Sequence, residues 1–307
     1  MSIEKTRNDM AMHITENHLA EFPEHISIPM PDRLAEIYDG TLDFVTSPDN
    51  IINRPLIHVN FVMSREGIFN LRDHPGGGPI SQGNVADGIT MAALRANADA
   101  VVVGASTLRS ESGHKWTSGF VFDAFPQMKG LDDLKQEFSL WRSSLAKKYE
   151  FPPTFFLTKS GEIRADAAAI MDPTILTYVL TTKSGALRAE EILGGNAKTK
   201  VLAFGDEDLD IEAALAVLKR DFGISLLLHE GGKGAVDSFL EQGLIDQLFL
   251  TQMKSSPRGE ISAGNVQYLF EGGDHQPPDL LRLMTVREDE ARAACLYNFD
   301  ARNTRSF

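Results

Sequence analysis

The chain has 307 residues, enough for one large domain or two small ones, and its 42% hydrophobic and 24% charged residues suit an ordinary globular protein. The 30 lysines and arginines against 43 aspartates and glutamates leave a formal charge of −13, which disfavours nucleic acid and anionic lipid as partners. One cysteine, Cys295, excludes an intrachain disulfide and a zinc site built on several cysteines; with no bilayer-length apolar stretch and no signal-peptide core after Met1, the expected compartment is the cytoplasm.

Residues 1–52 have mixed polarity and read as an N-terminal extension that packs on the main domain or on a partner subunit. Within it, residues 11–22 are a candidate short helix. Pro29-Met30-Pro31-Asp32 is a start for a helix over 33–38, with proline preset for the first turn. From residue 53 to 307 the pattern is that of one domain in which strands and helices alternate. Residues 56–63 read as a strand. Residues 84–97 read as a helix, from the spacing of Val85, Ile89, Ala92, Ala93 and Ala96. Residues 99–104 are a continuous apolar run, the signature of a buried parallel strand. A charged amphipathic helix is expected over 131–149, inside a longer insertion. Strands follow at 154–158 and 175–181, a helix at 187–193 ended by Gly194-Gly195, and a strand at 201–204. A helix at 211–222, a strand at 225–229, a helix at 235–242 and a strand at 244–252 come next. A hairpin of 281–286 with 293–299 closes the pattern. Together these predict an α/β fold, a mostly parallel central sheet with helices on both faces and an antiparallel C-terminal edge. Gly76-Gly77-Gly78 reads as a flexible loop, a candidate flap over a site.

Three segments carry the chemistry. In Leu228-His229-Glu230-Gly231-Gly232-Lys233-Gly234, two glycines follow a strand and precede a helix. Backbone approaches a ligand closely there, and the helix offers free N–H groups and the positive end of its dipole. The spacing is neither that of a P-loop nor that of the Rossmann fingerprint, and a plain strand-to-helix turn accounts for it equally well. Val103-Gly104-Ala105-Ser106-Thr107 follows the same logic and has the same plain alternative. Thr181-Thr182-Lys183-Ser184 ends a third strand with hydroxyls and a lysine suited to a phosphate, though such stretches are also common loops. Glu66 and Glu230 stand at strand ends, where ligands bind in such sheets, to orient a substrate or relay a proton; the ordinary fate of either is a paired surface acid. His58 and His229, set in apolar strands, read as packing residues. His74 and His114 sit in polar loops. No cluster of carboxylates or histidines reads as a metal cage, and neither a zinc-deaminase signature nor a Gly-x-Ser-x-Gly elbow is present.

In this order, the segments resemble the reductase domain of bacterial riboflavin biosynthesis, whose fold is like that of dihydrofolate reductase. Arg54-Pro55 and Val59-Asn60-Phe61-Val62-Met63-Ser64 look like its first strand and turn. Leu94-Arg95-Ala96 through Thr107 looks like its second segment. Leu228 to Gly232, with Phe239-Leu240-Glu241 and Gly243-Leu244-Ile245-Asp246, looks like its third. The resemblance covers about residues 54–300 and implies NADPH-dependent reduction of a phosphoribosylamino-pyrimidine by a homodimer. By position it puts Gly104, Ala105, Ser106 and Thr107 along the nicotinamide and phosphates. Gly231, Gly232 and Lys233 then fall on the pyrophosphate, and Thr182 and Lys183 on the adenosine phosphate. Glu66 and Glu230 flank the substrate, with Asn60, Ser64, Arg109 and Glu111 as further substrate contacts. No side-chain nucleophile is needed, because the cofactor carries the hydride. The chain departs from the family at Arg65-Glu66 and at Leu108-Arg109-Ser110-Glu111, where an Asp-Asp/Asn-Pro loop is usual. Those departures, the triglycine loop and the insertion over 114–150 fall on the expected substrate side. They keep two other readings open: a same-fold reductase of a pterin-like or other small heterocycle, and a non-catalytic nucleotide-binding member.

Overall fold

The run Val101-Val102-Val103 is apolar without alternation, as a strand covered on both faces requires. In the computed structural model it lies inside a ten-stranded sheet, with all three residues buried. The structure describes residues 11–22, 24–45, 53–196, 198–270 and 281–299. In chain order the elements are β1 (His13–Asn17), β2 (His25–Ile28), α1 (Asp32–Tyr38), β3 (Leu42–Val45), β4 (Leu56–Met63), β5 (Ile68–Leu71), α2 (Gly78–Ser81), α3 (Val85–Asn97), β6 (Ala100–Gly104), α4 (Ala105–Ser110), α5 (Ser118–Ala124) and α6 (Asp132–Ser144). They continue as β7 (Thr154–Leu157), α7 (Ala168–Met171), β8 (Thr177–Thr181), α8 (Lys183–Leu193), β9 (Lys200–Ala203), α9 (Ile211–Arg220), β10 (Leu226–His229), α10 (Lys233–Glu241), β11 (Gln247–Met253), β12 (Val266–Tyr268), β13 (Leu281–Glu288) and β14 (Arg292–Phe299).

The large sheet has the order β1-β13-β14-β11-β4-β10-β6-β7-β8-β9. From β11 to β9 the strands are parallel; β14, β13 and β1 add an antiparallel edge. One face packs on α1, α3, α5, α6 and α8 through residues such as Leu34, Ile89, Phe122, Phe138 and Ala189. The other packs on α9 and α10 through Leu215, Leu218 and Phe239. The expected architecture is therefore the observed one. Asn84 caps α3 by accepting from the Asp87 N–H, and Asp210 caps α9 in the same way, so both helices start where a capping side chain stands.

Residues 11–22 are not the expected helix. They form β1 and a short 3₁₀ turn at Leu19–Glu21, because β13 presents an open edge whose backbone groups β1 can pair. The expected helix over 33–38 is α1, which places Leu34 and Tyr38 in the same core as Met12. The boundary drawn at residue 52 lies outside the described residues. A separate two-stranded sheet, β5 with β12, packs with α2 around Ile68, Leu71, Ile80, Met253 and Val266. It stands against the C-terminal end of β4 as a side wall.

His58 and His229 are fully buried in neighbouring strands β4 and β10. Burial pushes both rings down to about 3, against a hydrogen bond with Gln247 for His58 and a backbone contact at Ala235 for His229. Their folded pKa lies below the unfolded value, so below about pH 6.5 the unfolded chain binds the extra protons and stability falls as pH drops toward 3. Each is expected to contribute a loss of roughly 1.4 kcal/mol between about pH 7.5 and 5.5. His58→Phe fits a pocket already walled by Phe44 and Phe249, whose rings stand 5.2 Å from the imidazole. Denaturant titrations at the two pH values should show that share of the acid loss removed; an unchanged pH dependence would refute the assignment.

Candidate active site

The adjacent parallel strands β6 and β10 end side by side, and each turns at once into a helix. The two turns interlock. A Cβ on Gly231 would stand 2.7 Å from Val103 Cγ1 and 3.2 Å from Thr107 Oγ1, closer than side chains pack. Gly232 has φ +65°, and a Cβ there would meet Thr107 Oγ1 at 3.2 Å and Ser106 Oγ at 3.3 Å. Two hydroxyls therefore face two bare backbone units at the start of α10. Lys233 opens that helix and pairs with Asp237 at 2.8 Å, one turn on.

These turns border a cavity of about 790 Å³, large enough for a cofactor portion and a small substrate together. Ser106, Thr107, Gly231, Gly232 and Lys233 line it. So do Asn60 of β4, Asn70 of β5 and Gly76, Gly77 and Gly78. The triglycine segment is not simply a loop, because Gly78 begins α2. Asn70 tethers it: the side-chain oxygen accepts from the Gly76 N–H at 2.9 Å while the amide nitrogen donates to Gln267 Oε1 of β12 at 2.6 Å. Asp87 at the first turn of α3, and Trp116, Phe125 and Gln127 from the insertion, also line the cavity.

A chain of charged groups runs along the cavity. Arg95, in the last turn of α3, is 1% exposed and donates to Glu230 through Nε at 2.9 Å and Nη2 at 2.5 Å. Its Nη1 donates to the Thr117 carbonyl at 3.3 Å. Nη2 also lies 2.9 Å from His114 Nε2. A guanidinium can only donate, so Nε2 is the acceptor and the imidazole proton sits on Nδ1, which faces Glu111 Oε2 at 3.3 Å. Burial, helped by the Arg95 charge, holds His114 well below the ordinary histidine range, consistent with a neutral ring. Burial also pushes Glu111 up, with Arg95 opposing and Glu230 adding to the rise.

The structure gathers Asn60, Ser106, Thr107, Glu111, Glu230, Gly231, Gly232 and Lys233 around this cavity. Gly104 and Ala105 stand just behind, where Gly104 approaches Ala235 closely. Ser64, Glu66, Arg109, Thr182 and Lys183 do not line it. Ser64 Oγ and Ser256 Oγ both donate to the Glu66 carboxylate, at 2.8 Å and 2.5 Å, and so tie the β4–β5 turn to the chain after β11. Partial burial opposes ionisation of Glu66, but those hydrogen bonds and the Arg65 charge outweigh it and hold the carboxyl below its usual range. Arg109 turns outward to the Glu162 carbonyl. Thr182 Oγ1 caps α8 by accepting from the Gly185 N–H, and Lys183 pairs with Asp206 at the surface. In sequence, Arg95 has no role beyond its place in the Leu94-Arg95-Ala96 segment, Asp87 has none, and His114 is only a polar-loop candidate for a substrate contact. Arg95 had a signal: a cation amid Ala92, Ala93 and Ala96 on an apolar helix face demands a buried acid.

The family model described as RibD C-terminal domain matches residues 55–253. No curated protein matches the chain. Among solved structures, a pyrimidine reductase-like protein from Corynebacterium diphtheriae is 20% identical, covering 83% of this chain and 95% of its own, with a TM-score of 0.58. RibD from Acinetobacter baumannii is 15% identical with a TM-score of 0.55, covering 81% of this chain and 58% of its own. The riboflavin biosynthesis reductase Rib7 of Saccharomyces cerevisia is 12% identical, covering 80% and 90%, with a TM-score of 0.51. The architecture is the dihydrofolate-reductase-like fold these proteins share.

Proposed function

The chain belongs to the RibD C-terminal domain family, and on that premise we propose that it is an NADPH-dependent reductase of a phosphoribosylamino-pyrimidine or a similar heterocycle, working as a cytoplasmic homodimer. The observation that carries this reading is the interlocked pair of turns. A cofactor pyrophosphate needs bare backbone N–H groups at a helix start with hydroxyls opposite, and Gly231, Gly232, Ser106 and Thr107 offer that shape. Lys233 stands beside it to add a positive charge. Gly104 and Ala105, just behind the cavity at the end of β6, let this turn pack closely on the start of α10, and the nicotinamide would lie along it. Thr182 and Lys183, outside the cavity at the end of β8, mark where an adenosine phosphate would extend. The cofactor, when bound, supplies the hydride.

The protein's own share is orientation and charge. Arg95 fixes the Glu230 carboxylate at the edge of the cradle. Through His114, the same guanidinium sets the position of Glu111. The aromatic residues Phe61, Phe69, Trp116 and Phe125 wall the cavity and exclude water from the reacting ring. Glu66 acts on the wall rather than on the substrate, by anchoring the β4–β5 turn through Ser64 and Ser256.

Titration of the purified protein with NADPH and NADH, read by nicotinamide fluorescence, tests this. Binding of NADPH in the micromolar range, with NADH weaker, is the expected result. Binding of neither would remove the reductase reading and leave a nucleotide-binding or other role for the fold.

A further inference from the structure

Four side-chain amides line the cavity, and they are of two kinds. Asn70 and Gln267 are bonded to each other, and Asn70 also holds the triglycine segment. Asn60 and Gln127 have no side-chain hydrogen bond among the described residues. Asn60 sits on β4, the neighbour of β10 in the sheet. Gln127 comes from the insertion, outside the sheet.

The backbone under Gln127 is firmly placed. Gln127 is the middle residue of the 3₁₀ turn Pro126–Met128, whose Met128 is fully buried. Met128 Sδ stands 3.0 Å from where a Cβ of Gly88 would be, so the turn packs directly on α3. The Met128 N–H also donates to the Phe125 carbonyl at 2.9 Å. The Gln127 side chain then lies on Gly83. Its Cδ and Oε1 are each 3.5 Å from where a Cβ would stand, and the φ of +77° there is a glycine conformation. A half-buried carboxamide is thus set in the cavity wall with its polar atoms unspent. Phe125, two residues earlier, adds a half-buried ring to the same wall.

A carboxamide presents a donor and an acceptor side by side in one plane. A cyclic lactam presents the complementary pair, a ring carbonyl beside a ring N–H. The two meet through two parallel hydrogen bonds, and an aromatic side chain nearby covers the face of the heterocycle. We infer that Gln127 is a specificity-determining residue for the substrate's ring, pairing with a lactam edge of a pyrimidinone while Phe125 stacks on it. The inference rests on the reductase reading. It concerns the ring alone and leaves the phosphoribosyl group to the rest of the cavity.

Steady-state kinetics of the full-length protein with NADPH and 5-amino-6-(5-phosphoribosylamino)uracil test it. Ribose 5-phosphate serves as a competitor that keeps the sugar phosphate and lacks the ring. Gln127→Ala should raise KM about tenfold while kcat changes less than about twofold. Gln127→Glu should raise KM further, because a carboxylate cannot donate to the ring carbonyl and repels it. Phe125→Leu should also raise KM, by about tenfold, through lost stacking. The inhibition constant of ribose 5-phosphate should stay within about twofold of the parent in both Gln127 variants, and melting curves establish that they fold. An unchanged KM in Gln127→Ala, a fall in kcat at constant KM, or an equal weakening of ribose 5-phosphate overturns the inference. NADPH fluorescence in the same samples separates the two failures. Without NADPH binding the reductase reading falls and takes the inference with it. NADPH binding with neither binding nor turnover of the uracil compound overturns the inference and leaves the cofactor site standing.

Discussion

Gly231→Val is expected to weaken NADPH by on the order of 100-fold or more, the equivalent of losing two charge-assisted hydrogen bonds of roughly 1.5–3 kcal/mol each. The first atom of the new side chain would already meet Val103 Cγ1 at 2.7 Å. Val103 is fully buried in the sheet and cannot retreat, so the β10–α10 turn must move away from Ser106 and Thr107. That motion opens the cradle. Gly232→Asp separates charge from shape. Its Cβ would stand 3.2 Å from Thr107 Oγ1 and its φ of +65° is tolerable for aspartate at modest cost, so the fold survives while the carboxylate repels the pyrophosphate. Nicotinamide fluorescence measures both variants, and melting curves check their folding. Wild-type affinity in Gly232→Asp would mean that the pyrophosphate lies elsewhere.

The second large effect concerns stability. Arg95→Leu leaves Glu230 with 7% of its side chain exposed and no cation beside it. Breaking a buried pair in this way costs about 3–5 kcal/mol. At about 2–4 °C per kcal/mol, a fall in melting temperature of roughly 10 °C is expected. Replacing both partners, Arg95→Met with Glu230→Leu, should recover most of that loss, because desolvation of an unpaired charge causes it. The double variant should still fail to turn over substrate, since His114 and Glu111 lose the donor that orders them. A single Arg95→Leu variant as stable as the parent would show that Glu230 escapes to solvent and that the charged chain has no structural weight.

The fold was more legible than the site. Strand β6 carries its own signature because burial on both faces leaves an apolar run with no polar interruption, and β4 and β10 are legible as largely apolar runs broken only by His58, Asn60 and His229. Helix α3 is legible because the apolar spacing and the Asn84 cap agree. Strand β1 was not, because residues 13–17 are mostly exposed and become a strand only by pairing with β13, some 270 residues later. The small sheet of β5 and β12 was missed for the same reason of distance. At the site, glycine turns are visible in one dimension because backbone geometry is local. The Arg95–His114–Glu111 chain is not, since its members come together only when the insertion folds over α3. Glu66 and Glu230 look alike in sequence, each an acid at a strand end. Ser256 claims one and Arg95 the other, and only the second faces the cavity.

The pairing of β1 with β13 also bears on how copies of this chain can meet. An uncovered strand edge is an invitation to extend the sheet into a second molecule. Here the chain answers that invitation itself, and the new border it exposes carries His13 and Glu16 in place of an apolar row. β1 is now the end strand, so a second molecule joining at this side would have to pair with a strand whose side chains are mostly exposed and polar. Truncation before residue 18, which removes β1 and bares the edge of β13, is therefore expected to promote association by sheet continuation, read by size measurement.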